Sequence, residues 1–76
     1  MKEISVLLKE KYGLVHVPYD RKVRRWVELT KSHIRTGQSA EHAGLLAARL
    51  TFPYELREHN VYQSTPVRDL IARYDR

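Results

Sequence analysis

The chain has 76 residues, with 14 Lys+Arg against 9 Asp+Glu for a formal net charge of +5, 42% hydrophobic and 30% charged residues, and no cysteine. That length holds one core and one small domain, residues 1–76. The composition excludes a disordered chain, the lack of any apolar run near ~20 residues excludes a membrane span, and the lack of cysteine excludes disulfides, thiolate metal sites and thiol nucleophiles.

The start, MKEISVLLKEKYG, has no apolar stretch of secretory-signal length, which reads as a cytoplasmic chain. A core of this size supplies only about 3–5 kcal/mol. Close helix packing, a homodimer or a bound partner is expected to add to it.

In chain order, the first predicted helix spans Lys2 to Tyr12, with Ile4, Leu7, Leu8 and Tyr12 at helical spacing and Gly13 just past its end. Residues 14–18, LVHVP, read as a short extended run stopped by Pro18. The second helix covers residues 20–36. Asp20 serves as its N-cap or first-turn acid, Val23, Trp26, Val27, Thr30 and Ile34 form one stripe, and Gly37 ends it.

Ser39 caps a third helix, Ala40 to Thr51, which carries Ala43, Leu46, Ala47 and Leu50 on one face. Ala43, Gly44, Ala47 and Ala48 are small enough for another helix to approach closely, and this face is a candidate protein interface. Gly44 costs about 1 kcal/mol of helix propensity relative to Ala, and close backbone contact is what compensates it. Pro53 opens a short fourth helix over 54–60. Residues 61–63 are extended and pair with 14–17. Thr65-Pro66 begins a last helix with Val67, Leu70, Ile71 and Tyr74 inward. The expected fold is therefore all-α, four to five short helices with a minor two-strand contact.

The charge is not spread evenly. Residues 20–36 hold Arg21, Lys22, Arg24, Arg25, Lys31 and Arg35 against Asp20 and Glu28, a net +4, and the other residues sum to +1. On a helical wheel with Val23 at zero, Lys31, Arg24, Arg35, Arg21 and Arg25 fall between about 80° and 200°, opposite the apolar stripe and over about 20 Å of axis. Like charges at these spacings repel by a few tenths of a kcal/mol per pair, and a polyanion relieves that repulsion. Arginine's forked guanidinium suits phosphate and guanine edges.

Residues 40–60 resemble a helix-turn-helix in Leu46, Ala47, Leu50 and Phe52. They depart from it at Thr51, where Gly is usual, at Arg57, where an apolar anchor is usual, and in Glu55 and Glu58, which would face phosphates. In the other register the third helix would read bases with only His42, Leu45 and Arg49. A dimeric module that uses residues 20–36 itself fits the charge better.

Other chemistry is harder to assemble. Glu55, Glu58 and His59 have a spacing that binds metal in some bundles, but no second paired motif completes a site, so a surface salt-bridge cluster is expected. The glycines stand alone at 13, 37 and 44, the serines lie in no nucleophile elbow, and the chain is short for a catalytic cleft. The expectation is a non-enzyme with neither cofactor nor metal. Tyr19, Tyr54 and Tyr62 lie near helix ends or loops; with no platform-like spacing among the five tyrosines, packing against the core is the expected role and stacking on unpaired bases a minor one. A basic amphipathic helix on an anionic membrane ranks behind, because the core needs its apolar stripe.

The sequence thus points first to a small nucleic-acid-binding or regulatory protein, with DNA ahead of RNA, that contacts phosphates through Arg21, Arg24, Arg25, Lys31 and Arg35. The alternative is a non-enzymatic interaction module, an adaptor or inhibitor docking on an acidic or apolar surface of a larger protein partner.

Overall fold

The computed structural model describes residues 3–57 and 65–75. They form four helices: α1 (Ile4–Tyr12), α2 (Asp20–Arg35), α3 (Ala40–Thr51) and α4 (Val67–Tyr74). None is long and apolar enough to cross a membrane. The radius of gyration is 10.9 Å, near the ~11 Å of a close-packed chain of this length.

The expected helix ends hold with small shifts. Gly13 takes φ 61° and ψ 37° after α1, the left-handed conformation that spares a side-chain clash only for glycine. A Cβ at Gly13 would also lie 2.8 Å from Arg57 Cβ. Asp20 proves to be a first-turn acid, with Tyr19 as the N-cap. The Ser39 hydroxyl accepts from His42 N at 3.3 Å, as a cap should. Pro66 is the N-cap of α4 rather than its first residue, and a side chain from α3 does the capping: Glu41 Oε2 accepts from Val67 N at 2.7 Å.

α2 and α3 are joined by residues 36–39 and pack as an antiparallel hairpin, with α1 and α4 laid against it. Val23, Trp26, Val27 and Thr30 are buried as the periodicity predicts. Trp26 is fully buried and its indole Nε1 donates to Gly44 O at 3.0 Å across the hairpin. Removing that ring would cost about 3–5 kcal/mol, comparable with the whole stability of so small a core.

Facing the indole, α3 turns its small residues inward: Ala40, Ala43, Gly44, Ala47, Ala48 and Thr51 are buried. A Cβ on Gly44 would meet Val67 Cγ2 at 2.6 Å, Tyr12 OH at 2.7 Å and Trp26 Cζ2 at 3.3 Å. The small-residue face of Ala43, Gly44, Ala47 and Ala48 is therefore occupied by the chain's own helices, and it is no surface for a partner. Leu50, expected on the inward face, is instead 56% exposed.

The other departure is Lys11, which is fully buried on α1. Its ammonium lies 2.8 Å from Glu41 Oε1 and donates to the Thr65 carbonyl at 2.9 Å. Because the same Glu41 caps α4, one ion pair ties α1, α3 and the start of α4 together. A charge buried without such partners would be prohibitive.

Two expected elements are not found. Residues 14–17 form no strand: Leu14 N bonds back to Lys9 O at 3.0 Å and His16 N to Glu55 Oε1 at 3.2 Å. Their expected partner, 61–63, lies outside the described residues. The helix expected over 54–60 is, through residue 57, a single turn. Glu55 N and Leu56 N both reach Phe52 O, and Arg57 N leaves for Tyr12 O at 2.7 Å. Residues 58–60 are outside the described part.

Candidate nucleic-acid interface

The apolar stripe of α2 is committed to the core, so its opposite side is committed to solvent. Arg21, Arg24, Arg25 and Arg35 are all exposed there. None of the four is hydrogen-bonded or ion-paired through its side chain among the described residues. Arg21 stands three and four residues from Arg24 and Arg25, the spacing at which like charges on a helix repel. Glu28, also exposed, offsets part of this.

Lys31, the fifth expected contact, differs. Its ammonium is 2.8 Å from Asp75 Oδ1, just past the end of α4, and its side chain is 37% exposed. It is on the face but already neutralised in part.

The tertiary fold adds neighbours on both flanks that the wheel did not include. On one flank a groove of about 780 Å³ runs between the first turns of α2 and the end of α3. Its α2 wall carries Arg21, Lys22, Arg24 and Arg25 with one acid, Glu28, and its other wall is Leu50, Thr51, Pro53 and Tyr54, with Tyr19 also in the lining. The Tyr54 ring is 98% exposed and Tyr19 is 81% exposed. Lys22 Nζ sits 5.9 Å from the centroid of the Phe52 ring, a cation–π contact that holds this wall against the end of α3.

On the other flank, Lys31 and Arg35 face Arg68 of α4 across a groove with Ile34, Ile71 and Ala72. The wheel of α2 left out Lys22, at its apolar margin, and Arg68, on another helix. Arg68 follows Val67 and precedes Leu70 and Ile71, so a sequence signal existed, but it required knowing that α4 packs beside α2.

The helix-turn-helix alternatives gain nothing from this geometry. Leu45, expected to point outward from α3 as a base reader, is buried, which leaves His42 and Arg49 exposed on that helix. The second register lacks its reading helix over residues 53–57. Glu55, expected in a salt-bridge cluster with Glu58 and His59, accepts from His16 N at 3.2 Å. Glu58 and His59 lie outside the described residues, and no group of three or more potential metal ligands occurs among those described.

The arrangement therefore offers a row of guanidiniums without side-chain partners among the described residues, on a well-packed helix flanked by exposed aromatic rings on one side and further cations on the other. No protein-family model, curated protein or solved structure matches the chain.

Proposed function

We propose that the chain binds nucleic acid, holding phosphates on Arg21, Arg24, Arg25 and Arg35, with Lys31 recruited when its pairing to Asp75 opens. One observation carries the reading: four exposed guanidiniums without a side-chain partner among the described residues, fixed on one face of a well-packed helix. Phosphate supplies the forked acceptors they lack, and binding releases counterions that the nucleic acid's own charge had condensed around it. The mutual repulsion of the arginines in the free protein is relieved at the same time.

The competing reading, an adaptor or inhibitor, drew its main support from the small-residue face of α3. With Ala43, Gly44, Ala47 and Ala48 inside the core, that support is gone. An acidic protein could still use the arginines, and it would compete with nucleic acid for the same residues.

The test is fluorescence anisotropy of labelled DNA and RNA oligonucleotides at low salt, with the wild type and with the double variant Arg24→Glu, Arg35→Glu. The wild type is expected to bind, and the variant to lose at least about a hundredfold in affinity with an unchanged helical circular-dichroism spectrum. Wild-type protein that binds no oligonucleotide, or a double variant that binds equally well, overturns the reading.

A further inference from the structure

The groove between the first turns of α2 and the end of α3 has features that phosphate contact alone does not require. Its cationic wall would serve any polyanion. Its opposite wall, however, presents a Tyr54 ring 98% exposed, beside Leu50 and Tyr19 that are also largely exposed. Aromatic rings contribute most when buried, and a folded chain of this size that leaves two tyrosines uncovered forgoes area its core could use. Neither ring maintains the fold: Tyr19 caps α2 through its backbone, with no side-chain cap bond.

A duplex has no free base faces to offer these rings, because each base is stacked and paired inside the helix. An unpaired strand has both a backbone charge and exposed π-faces. Combining a positive wall with aromatic platforms is how sequence-tolerant single-strand sites are built. Arg21 and Arg25 are ~6 Å apart along the axis, so the cationic wall follows a backbone rather than a single anion.

We propose that this groove binds an unpaired nucleic-acid strand, with phosphates on Arg21, Arg24 and Arg25 and bases stacked on Tyr54 and Tyr19. The proposal rests on the phosphate-binding function and narrows its substrate to single strands. Leu50 supplies an apolar side to the platform, and Thr51, largely buried, its floor.

Anisotropy titrations with a short labelled oligothymidine strand, the oligouridine strand of equal length and a blunt duplex decide it, with wild type, Tyr54→Ala, Tyr54→Phe and Tyr19→Ala. Both tyrosines are exposed, so the variants should fold, which their melting curves check. One or both single strands should bind at least tenfold more tightly than the duplex. Tyr54→Ala should lose about tenfold on the strand, Tyr54→Phe should retain binding, and duplex affinity should not change, since base–aromatic stacking of ~1–3 kcal/mol corresponds to that range. The DNA and RNA arms show which strand is preferred. Equal or tighter duplex binding, with no effect of Tyr54→Ala, overturns the single-strand proposal and leaves phosphate binding standing. Binding of none of the three probes removes the phosphate reading, and this proposal with it.

Discussion

Gly44 shows how a single residue sets the geometry of the core. Its position in α3 forgoes about 1 kcal/mol of helix propensity relative to Ala, yet a methyl there would stand 2.6 Å from a Val67 methyl and 2.7 Å from the Tyr12 hydroxyl, both on fully buried side chains. Overpacking of about 1–3 kcal/mol outweighs the propensity gain. Gly44→Ala should therefore lower stability in urea denaturation by about 1–2 kcal/mol, and an unchanged or higher midpoint would refute the packing described. That Gly44 needed a close neighbour was legible in the sequence, but the identity of the neighbours was not, because Tyr12, Trp26 and Val67 converge from three other helices.

Lys11 teaches the opposite lesson. Its spacing from Leu7 and Leu8 places it on the inward stripe of α1, and only its charge argued for solvent. Its partner is distant in sequence, so the periodicity was informative where the residue type was misleading. Glu41→Ala should cost about 3 kcal/mol, since it strands a buried ammonium and uncaps α4. The double variant Lys11→Met, Glu41→Leu should recover most of the loss, as measured by thermal unfolding. A Glu41→Ala protein as stable as the wild type would show that the pair ties nothing together.

At the scale of the element, α2 performs two tasks on opposite sides. The apolar side was legible in Val23, Trp26, Val27 and Thr30, which recur at helical spacing and are buried, while Ile34 at the end of the stripe is only half-buried. The charged side was legible as a cluster of residues, not as a surface. Lys31 was included although Asp75 claims it, and Lys22 was excluded although it lines the groove. Both differences arise from tertiary neighbours that a wheel of one helix does not contain.

The Lys31–Asp75 pair is half-exposed, so it contributes no more than about 1 kcal/mol to stability. Its removal should matter more for binding. Asp75→Asn should raise nucleic-acid affinity severalfold and steepen the salt dependence by close to one phosphate contact, at little change in melting temperature. Affinity that falls instead would mean Asp75 orients a contact rather than masking one. For α3, the apolar pattern misdirected the reading toward Leu46 and Leu50. The inward face is set by what must fit against an indole, and there small side chains outrank large ones.

For the whole molecule, the fold class could be read from helix-period patterning and the helix-end residues Gly13 and Ser39, since these are local signals. The turn at 53–57 could not, because its backbone groups are satisfied by Phe52 and Tyr12 rather than by a helix of its own. The candidate surface was half legible: the sequence held its charge, and the fold held its aromatic wall. Assembled, the protein is a small helical core whose largest helix spends one side on stability and the other on repulsion. The double variant Arg24→Glu, Arg35→Glu should thus melt at an equal or slightly higher temperature than the wild type at low salt. The difference should vanish as salt screens the face.

The most direct measurement is the affinity for an oligonucleotide as a function of salt. Each phosphate contact contributes about 0.9 to the slope of log K against log salt on duplex DNA and about 0.7 on a single strand. With Arg21, Arg24, Arg25 and Arg35 engaged, the magnitude of the slope should be about 3 to 4, falling by about two contacts in Arg24→Glu, Arg35→Glu. A slope near zero, or one that those two substitutions leave unchanged, would contradict the assignment of the α2 face as the phosphate-binding surface.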